Sequence, residues 1–195
     1  MAMNATISRR ALLVTSAILA TPAAASAQAT LETHIGGGSS ILVAHFTRTG
    51  NTAVVAGIIR RGLGADSFEI RPRTPYPEDY EETVDQARRE RDAGFEPELE
   101  ASVPDIARYR TIYLGLPIWG ATAPPVIRSF LSRHDLAGKD LIPFATHGGY
   151  GPGDSHTVMA AHAPEARLAE AFVMEADQER RTMERVKGWL AENRT

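Results

Sequence analysis

A segment of hydroxyl residues around one glycine is the part of this 195-residue sequence best suited to chemistry. Residues 47–52 read Thr-Arg-Thr-Gly-Asn-Thr and follow a continuous apolar run at 41–46, which is typical of a buried strand. Apolar residues at helical spacing follow at 54–59, so the segment joins a strand to the N-terminus of a helix. Three hydroxyls, a glycine for a tight turn and the free N–H groups of a helix start suit a dianionic phosphate.

A simple helix cap is the alternative interpretation of this segment, because Asn51 or Thr52 alone would suffice for it. Capping needs one side chain, whereas three hydroxyls favour a phosphate. The segment lacks the Gly-Lys-Ser/Thr of a P-loop and the G-x-G-x-x-G of a dinucleotide-binding turn. We therefore expect the phosphate of a mononucleotide, with Arg48 either adding positive charge or pointing to solvent.

Two further glycine-containing loops, residues 117–123 and 146–153, each follow a predicted buried strand. Ligands of open parallel sheets lie at the carboxyl ends of the strands, so we expect both loops beside the phosphate segment. Trp119 either stacks on a bound ring, packs beneath its own loop or is simply exposed. His147 either hydrogen-bonds a ligand or is merely solvated.

Strands and helices alternate along the chain that positions these loops. Apolar runs predict strands at 41–46, 68–70, 111–116 and 141–145, and helical spacing predicts helices between them and at 155–162. Gly62 and Gly64 are expected to close the first helix, and Pro143 is awkward in a central strand. This alternation predicts an α/β fold, a parallel sheet covered by helices on both faces.

The C-terminal part of the chain is ambiguous. Residues 168–174 fit either a fifth strand or the start of one long helix that reaches Leu190. The alternation elsewhere favours a strand and then a helix, with Met183, Val186 and Leu190 facing the sheet.

Composition excludes several classes of function. The sequence contains no cysteine, which excludes disulfides, thiolate nucleophiles and cysteine-ligated metal or iron–sulfur sites. Its 24 acidic and 21 basic residues give a net charge of −3. A mildly acidic chain without a basic stripe argues against nucleic acid as a partner and against an anionic membrane surface.

Residues 1–27 have the pattern of a cleaved signal peptide. Arg9 and Arg10 precede a short apolar run, and Ala25 and Ala27 suit cleavage after residue 27. Ser8 and the paired arginines also fit the twin-arginine pattern, whose route carries folded proteins. The run is too short to span a bilayer stably, so we expect a periplasmic protein with no stable membrane insertion after cleavage. Residues 28–39 are predicted to be a flexible linker and residues 40–195 one domain.

Four separated segments resemble motifs of the flavodoxin family. Residues 42–56 resemble the family's FMN-phosphate signature, and the segments 76–80, 116–120 and 143–149 resemble motifs of one flavodoxin-like branch. The resemblance spans about residues 40–190 and implies a three-layer αβα sandwich whose five-stranded parallel sheet has the order 2-1-3-4-5. One departure is His45, which stands where the family more often has an aromatic residue.

The resemblance implies FMN as cofactor and assigns its two ends to the segments already described. The phosphate site would consist of Thr47, Arg48, Thr49, Gly50, Asn51 and Thr52. The ring site would consist of Pro117, Ile118, Trp119, Gly120, Thr146, Gly148, Gly149 and Tyr150. Trp119 and Tyr150 would face the two sides of the ring, and the flavin would carry the chemistry, with His147 as a catalytic candidate. Tyr76 and Tyr80 either close over the cofactor or pack at a helix start.

Two functions fit such a domain. An electron carrier would exchange electrons with a redox partner protein or a quinone, whereas an FMN oxidoreductase would use NAD(P)H or a quinone as substrate. The sequence has no recognisable nicotinamide-binding domain, which favours the carrier.

Three other classes fit less well. A serine hydrolase is suggested by Gly153, Asp154 and Ser155, but these follow the fourth strand, and no Asp-x-x-His follows them. A glycine-rich turn with a helix cap explains them better. A receiver-like domain would need an acidic cluster after the first strand, which is absent from residues 47–52. A cofactor-free binding domain is the last alternative.

Overall fold

The computed structural model describes Thr33, Ile35 and residues 38–176 and 179–192. The strands are β1 Ile41–His45, β2 Asp66–Glu69, β3 Thr111–Pro117, β4 Asp140–His147, β5 Arg167–Leu168 and β6 Phe172–Glu175. The helices are α1 Asn51–Leu63, α2 Tyr80–Asp92, α3 Pro125–Arg133, α4 Ser155–His162 and α5 Glu179–Glu192, with a short 3₁₀ helix at Ile106–Arg108. The predicted signal peptide lies outside the described residues. Among those described, no helix is long and apolar enough to cross a membrane.

The sheet has the order β2-β1-β3-β4-β5, with β6 also paired to β4, and every strand pair is parallel. This confirms the predicted α/β class and strand order. Successive residues of a strand point to opposite faces, so Leu42 and Ala44 enter one apolar core while Val43 enters the other. Helices α1 and α5 pack together on the Val43 face, and α3 and α4 pack together on the opposite face. The fold is the predicted three-layer sandwich.

The outermost strand is present but interrupted opposite Pro143. Leu141 pairs with Leu168 and Phe144 pairs with Phe172, so the outer chain advances four residues while β4 advances three. The carbonyls of Leu141 and His147 accept hydrogen bonds from the outer chain. Because every second residue of a strand directs its backbone polar groups to the same side, the nitrogen of Pro143 also faces the outer chain. Since proline has no N–H to donate, the ladder breaks there and the fifth strand becomes β5 and β6.

The C-terminal ambiguity is settled in favour of a strand followed by a helix. Val186 and Leu190 of α5 are buried in the core next to α1, as predicted, whereas the side chain of Met183 lies outside the described part. Gly64 ends α1 with φ 60°, but the expectation that Gly62 also closes this helix is wrong. Gly62 lies within α1, where a Cβ atom would be only 2.9 Å from the Leu190 side chain.

A buried polar group joins the amino ends of β2 and β3. The carboxylate of Asp66 accepts bonds from Arg108 and from the Tyr109 hydroxyl, the latter at 2.9 Å. Burial and the bond to Asp66 raise the pKa of Tyr109, so its hydroxyl stays protonated and donating.

Replacing Tyr109 with phenylalanine should lower the free energy of unfolding by about 1–2 kcal/mol, because the buried carboxylate loses a donor. Tyr113→Phe is a matched control, since Tyr113 is also buried but its pKa is raised by burial alone, with no hydrogen bond to its hydroxyl among the described residues. Urea denaturation measures both changes. Equal losses in the two variants would contradict the assignment.

His45 is buried at the end of β1, and neither ring nitrogen has a hydrogen-bond partner of normal geometry among the described residues. Burial lowers the pKa of His45 from 6.5 to about 4; Arg71 lowers it further, while Glu69 opposes the shift. Between these two pH values the unfolded chain binds a proton at His45 that the folded chain does not.

Stability should therefore fall as the pH is lowered from 6.5 to 4, by up to about 3 kcal/mol from His45 alone. His45→Phe removes the titrating group while keeping an aromatic ring in the site. Denaturation series at several pH values should show a shallower decline for this variant. Burial also lowers the pKa of His134, but that residue is common to both proteins and cancels in the comparison. Identical pH profiles would show that His45 does not titrate as described.

Candidate functional site

Three loops meet at the carboxyl ends of β1, β3 and β4, and direct contacts hold them together. The hydroxyls of Thr52 and Thr146 lie 2.9 Å apart. The Ile118 N–H donates to the Thr146 carbonyl at 2.8 Å, and the Asp154 N–H donates to the Ala121 carbonyl at 3.0 Å. The phosphate segment and both predicted ring loops are therefore neighbours in space, as the parallel sheet requires.

The N-terminus of α1 has no side-chain cap. Gly50 occupies the cap position in the left-handed region, with φ 92°, which a residue with a Cβ rarely adopts. The hydroxyl oxygen of Thr47 accepts a bond from the Gly50 N–H at 3.1 Å and so closes the turn. Neither Asn51 nor Thr52 caps the helix, which makes the capping interpretation wrong. The first-turn N–H groups, which have no intrahelical acceptor, are left for a ligand.

Three hydroxyls surround this helix end, and those of Thr47 and Thr49 are available to donate. Thr47 accepts a bond and therefore keeps its own proton, and Thr49 is exposed with no hydrogen bond in the described part of the chain. Thr52 is buried and bonded only to Thr146 among the described residues. These hydroxyl donors and the partial positive charge of the helix end together fit a phosphate.

Arg48 turns toward the start of α2, where its guanidinium donates to the carbonyl of Glu78 and lies 6.0 Å from the Tyr80 ring. At the same helix start, Asp79 accepts a bond from the Glu82 N–H at 3.0 Å. The acidic residues Glu81 and Glu82 in the first turn complement the dipole of α2. Arg48 thus ties the phosphate segment to α2.

Trp119 lies in an aromatic cluster of which the sequence singled out Trp119 and Tyr76 as candidate residues but did not predict the contacts. Its ring meets Phe46 edge-on at 5.3 Å and Tyr76 edge-on at 4.9 Å between centroids. The Tyr76 hydroxyl donates to Glu90 on α2 at 2.8 Å, and burial together with this bond raises the pKa of Tyr76 well above its ordinary value. Phe46 was not predicted as a site residue, because its place at the end of an apolar strand marks it as core.

The loop after β3 contains a tight turn that follows Trp119. Gly120 and Ala121 have φ of 58° and 60°, and Trp119 and Thr122 exchange backbone hydrogen bonds at 3.0 and 3.3 Å. Two successive positive φ angles characterise a type I′ turn. A Cβ on Gly153 would lie 1.7 Å from the Ala121 carbonyl oxygen, so this turn fits directly against the loop after β4.

His147 organises the glycine-rich loop after β4. Its Nδ1 accepts bonds from the N–H groups of Gly149 and Gly151 at 3.0 and 3.2 Å, so this nitrogen carries no proton and Nε2 is left as the donor. Tyr150 projects from the same loop with 92% of its surface exposed and contacts no other ring in the described structure. His147 therefore has a positioning role that the sequence did not reveal.

A pocket of about 350 Å³ adjoins the phosphate segment, within the size range of small-ligand sites. Phe46, Thr47, Arg48 and Tyr76 contribute to its wall, together with the chain that follows β2. It lies on the β2 side of β1, whereas the predicted ring loops follow β3 and β4 on the other side.

The described residues give no support to a hydrolase. The hydroxyl of Ser155 is buried and has no hydrogen-bond partner among the described residues, although a serine nucleophile needs an adjacent base. No group of three or more metal-ligating side chains occurs in that same part of the chain.

Comparison with known proteins supports a flavodoxin-like fold. The flavodoxin family profile matches residues 40–193. A protein of known structure from Bacteroides eggerthii, described as a flavoprotein, is 30% identical, with a TM-score of 0.68 over 78% of this chain and 96% of its own. A second one, from Bacteroides uniformis, is 29% identical, with a TM-score of 0.69 over 77% and 97%.

A flavoprotein in complex with FMN from Lactobacillus acidophilus shares the fold at 18% identity, with a TM-score of 0.62 over 74% of this chain and 97% of its own. Among curated proteins, none matches the sequence. The family profile covers most of the chain and the strand order agrees with it. The chain belongs to the flavodoxin family.

Proposed function

We propose that this flavodoxin binds FMN and carries electrons between other molecules. The observation that carries the proposal is the helix start at Gly50, which has no side-chain cap and is surrounded by hydroxyl donors. Phosphate oxygens would accept bonds from the first-turn N–H groups of α1 and from Thr47, Thr49 and Thr52. Family membership and the FMN complex of a distant relative support this choice of cofactor.

The ring would lie against the loops after β3 and β4, which contacts at Ile118 and Ala121 already hold together. Trp119 is fixed edge-on by Phe46 and Tyr76, so it offers a rigid aromatic side to a ligand. Tyr150 contacts no other ring in the described part of the chain, so it can cover a bound ring without breaking an aromatic contact. Gly148 and Gly149 permit close approach of the backbone.

Bound FMN would supply the electron transfer, and the chain would set its position and exclude water from one side. The donor and acceptor that we propose are a redox partner protein or a quinone. Direct use of NAD(P)H is the competing function. It is less favoured because no nicotinamide-binding domain is recognisable in the sequence.

We also propose that the chain is exported to the periplasm with its cofactor already bound. The paired arginines at residues 9 and 10 support the twin-arginine route, and the small residues up to Ala27 support cleavage of the signal peptide. That route carries folded proteins, which suits a domain that must collect a cytoplasmic cofactor before it leaves.

The full chain, expressed and purified in its mature form, should be yellow and release FMN that mass spectrometry identifies. Its N-terminus should be residue 28. Added NADH or NADPH should reduce it only slowly, whereas a chemical reductant should reduce it completely. Rapid steady-state oxidation of NAD(P)H would contradict the carrier role and favour an oxidoreductase. A colourless protein that does not bind added FMN would contradict the proposed cofactor.

Thr49→Val tests the phosphate site with little risk to folding, since this side chain is exposed. Loss of a hydrogen bond to a charged group costs about 1.5–3 kcal/mol, so FMN affinity should fall roughly 10- to 100-fold. Riboflavin, which lacks the phosphate, should bind as before. Thr111→Val, at the opposite end of the sheet, is the control that should change neither affinity. Equal weakening of both flavins by Thr49→Val would show that the segment does not hold the phosphate.

A further inference from the structure

Thr52 and Thr146 form a buried hydroxyl pair between the first turn of α1 and the end of β4. Their oxygens are 2.9 Å apart, and the two residues are 1% and 5% exposed. The buried hydroxyls of Thr122 and Ser155 have no partner among the described residues, so burial alone does not create such a pair here.

The pair has two hydroxyl protons but only one hydrogen bond between its members. Each hydroxyl has a single proton, and one of the two makes the shared bond. The other proton has no acceptor in the described part of the chain, although a buried donor without a partner is destabilising. If Thr52 donates, the spare proton is on Thr146 within the strand; if Thr146 donates, it is on Thr52 at the helix start.

An anion bound at the helix start would favour the direction in which Thr146 donates to Thr52. Only Thr52 lies on the first turn of α1, where a phosphate oxygen would accept its proton. With Thr146 donating to Thr52 and Thr52 donating to the anion, both protons are used. The chain of two bonds ends on a charge, which strengthens each of them.

We propose that Thr146 is a positioning residue for the phosphate of FMN, acting by directing the hydroxyl proton of Thr52; this inference rests on the proposed function. Thr146 also contacts the ring loops through its backbone, since its carbonyl accepts the Ile118 N–H at 2.8 Å. The next residue, His147, holds the glycine loop through two N–H groups. One residue thus connects phosphate recognition to both loops proposed for the ring.

The test titrates the apoprotein of the full chain with FMN and with riboflavin and takes the ratio of the two dissociation constants. Thr146→Val should lower the preference for FMN about tenfold and leave riboflavin binding within about twofold of the unaltered protein. Thr146→Ser should retain the preference, because it keeps the hydroxyl. Thr146→Ala is a second deletion of the hydroxyl, and thermal melting of each variant checks that it folds.

A double variant tests whether Thr146 affects FMN binding only through Thr52 or also by a contact of its own. Thr52→Val combined with Thr146→Val should bind FMN no more weakly than Thr52→Val alone, because Thr146 acts only through Thr52. Ser129→Ala is the control for loss of a buried hydroxyl, since Ser129 donates to the Pro125 carbonyl within α3. It should leave the ratio unchanged.

Equal weakening of FMN and riboflavin by Thr146→Val would reduce Thr146 to a structural residue, and additive effects in the double variant would show that it acts independently of Thr52. Either result overturns the inference while the phosphate site stands. An unaltered protein that binds both flavins equally would instead overturn the phosphate site itself, and the inference with it.

Discussion

The N-terminus of α1 is the constraint on which this structure depends. A helix start must satisfy its free N–H groups, and here Gly50 and Thr47 close the turn without supplying an acceptor to the first turn. A ligand bound by this loop would therefore supply the hydrogen-bond acceptor for those N–H groups. The sheet then fixes the surroundings, because parallel strands in this order bring the loops after β3 and β4 beside the same helix.

The remaining loops are rigid for reasons that are local to each of them. A type I′ turn follows Trp119, His147 gathers the glycine loop, and Tyr76 is fixed to α2 through Glu90. Such anchoring holds backbone and aromatic groups in place before a ligand arrives, which reduces the entropy lost on binding. The glycines of the loop after β4 give close approach, and the contacts of His147 offset their flexibility.

Local signals in the sequence predicted the elements and the turn at residues 47–52, because an apolar strand, a glycine turn and a helix start are encoded within about fifteen residues. Pro143 was recognised as awkward, and the interrupted outer strand shows its effect. The cluster of Phe46, Tyr76 and Trp119 could not be predicted, since its members meet only through the tertiary fold. The positive φ of Ala121 likewise has no signal in its residue type.

The break opposite Pro143 also affects how the sheet meets other molecules. A continuous outer strand presents a row of unpaired N–H and C=O groups, on which a second chain can add a strand. Here the outer position holds only two paired residues, an irregular stretch and four more, so no long straight edge is offered. The proline that weakens the ladder therefore acts against edge-to-edge aggregation.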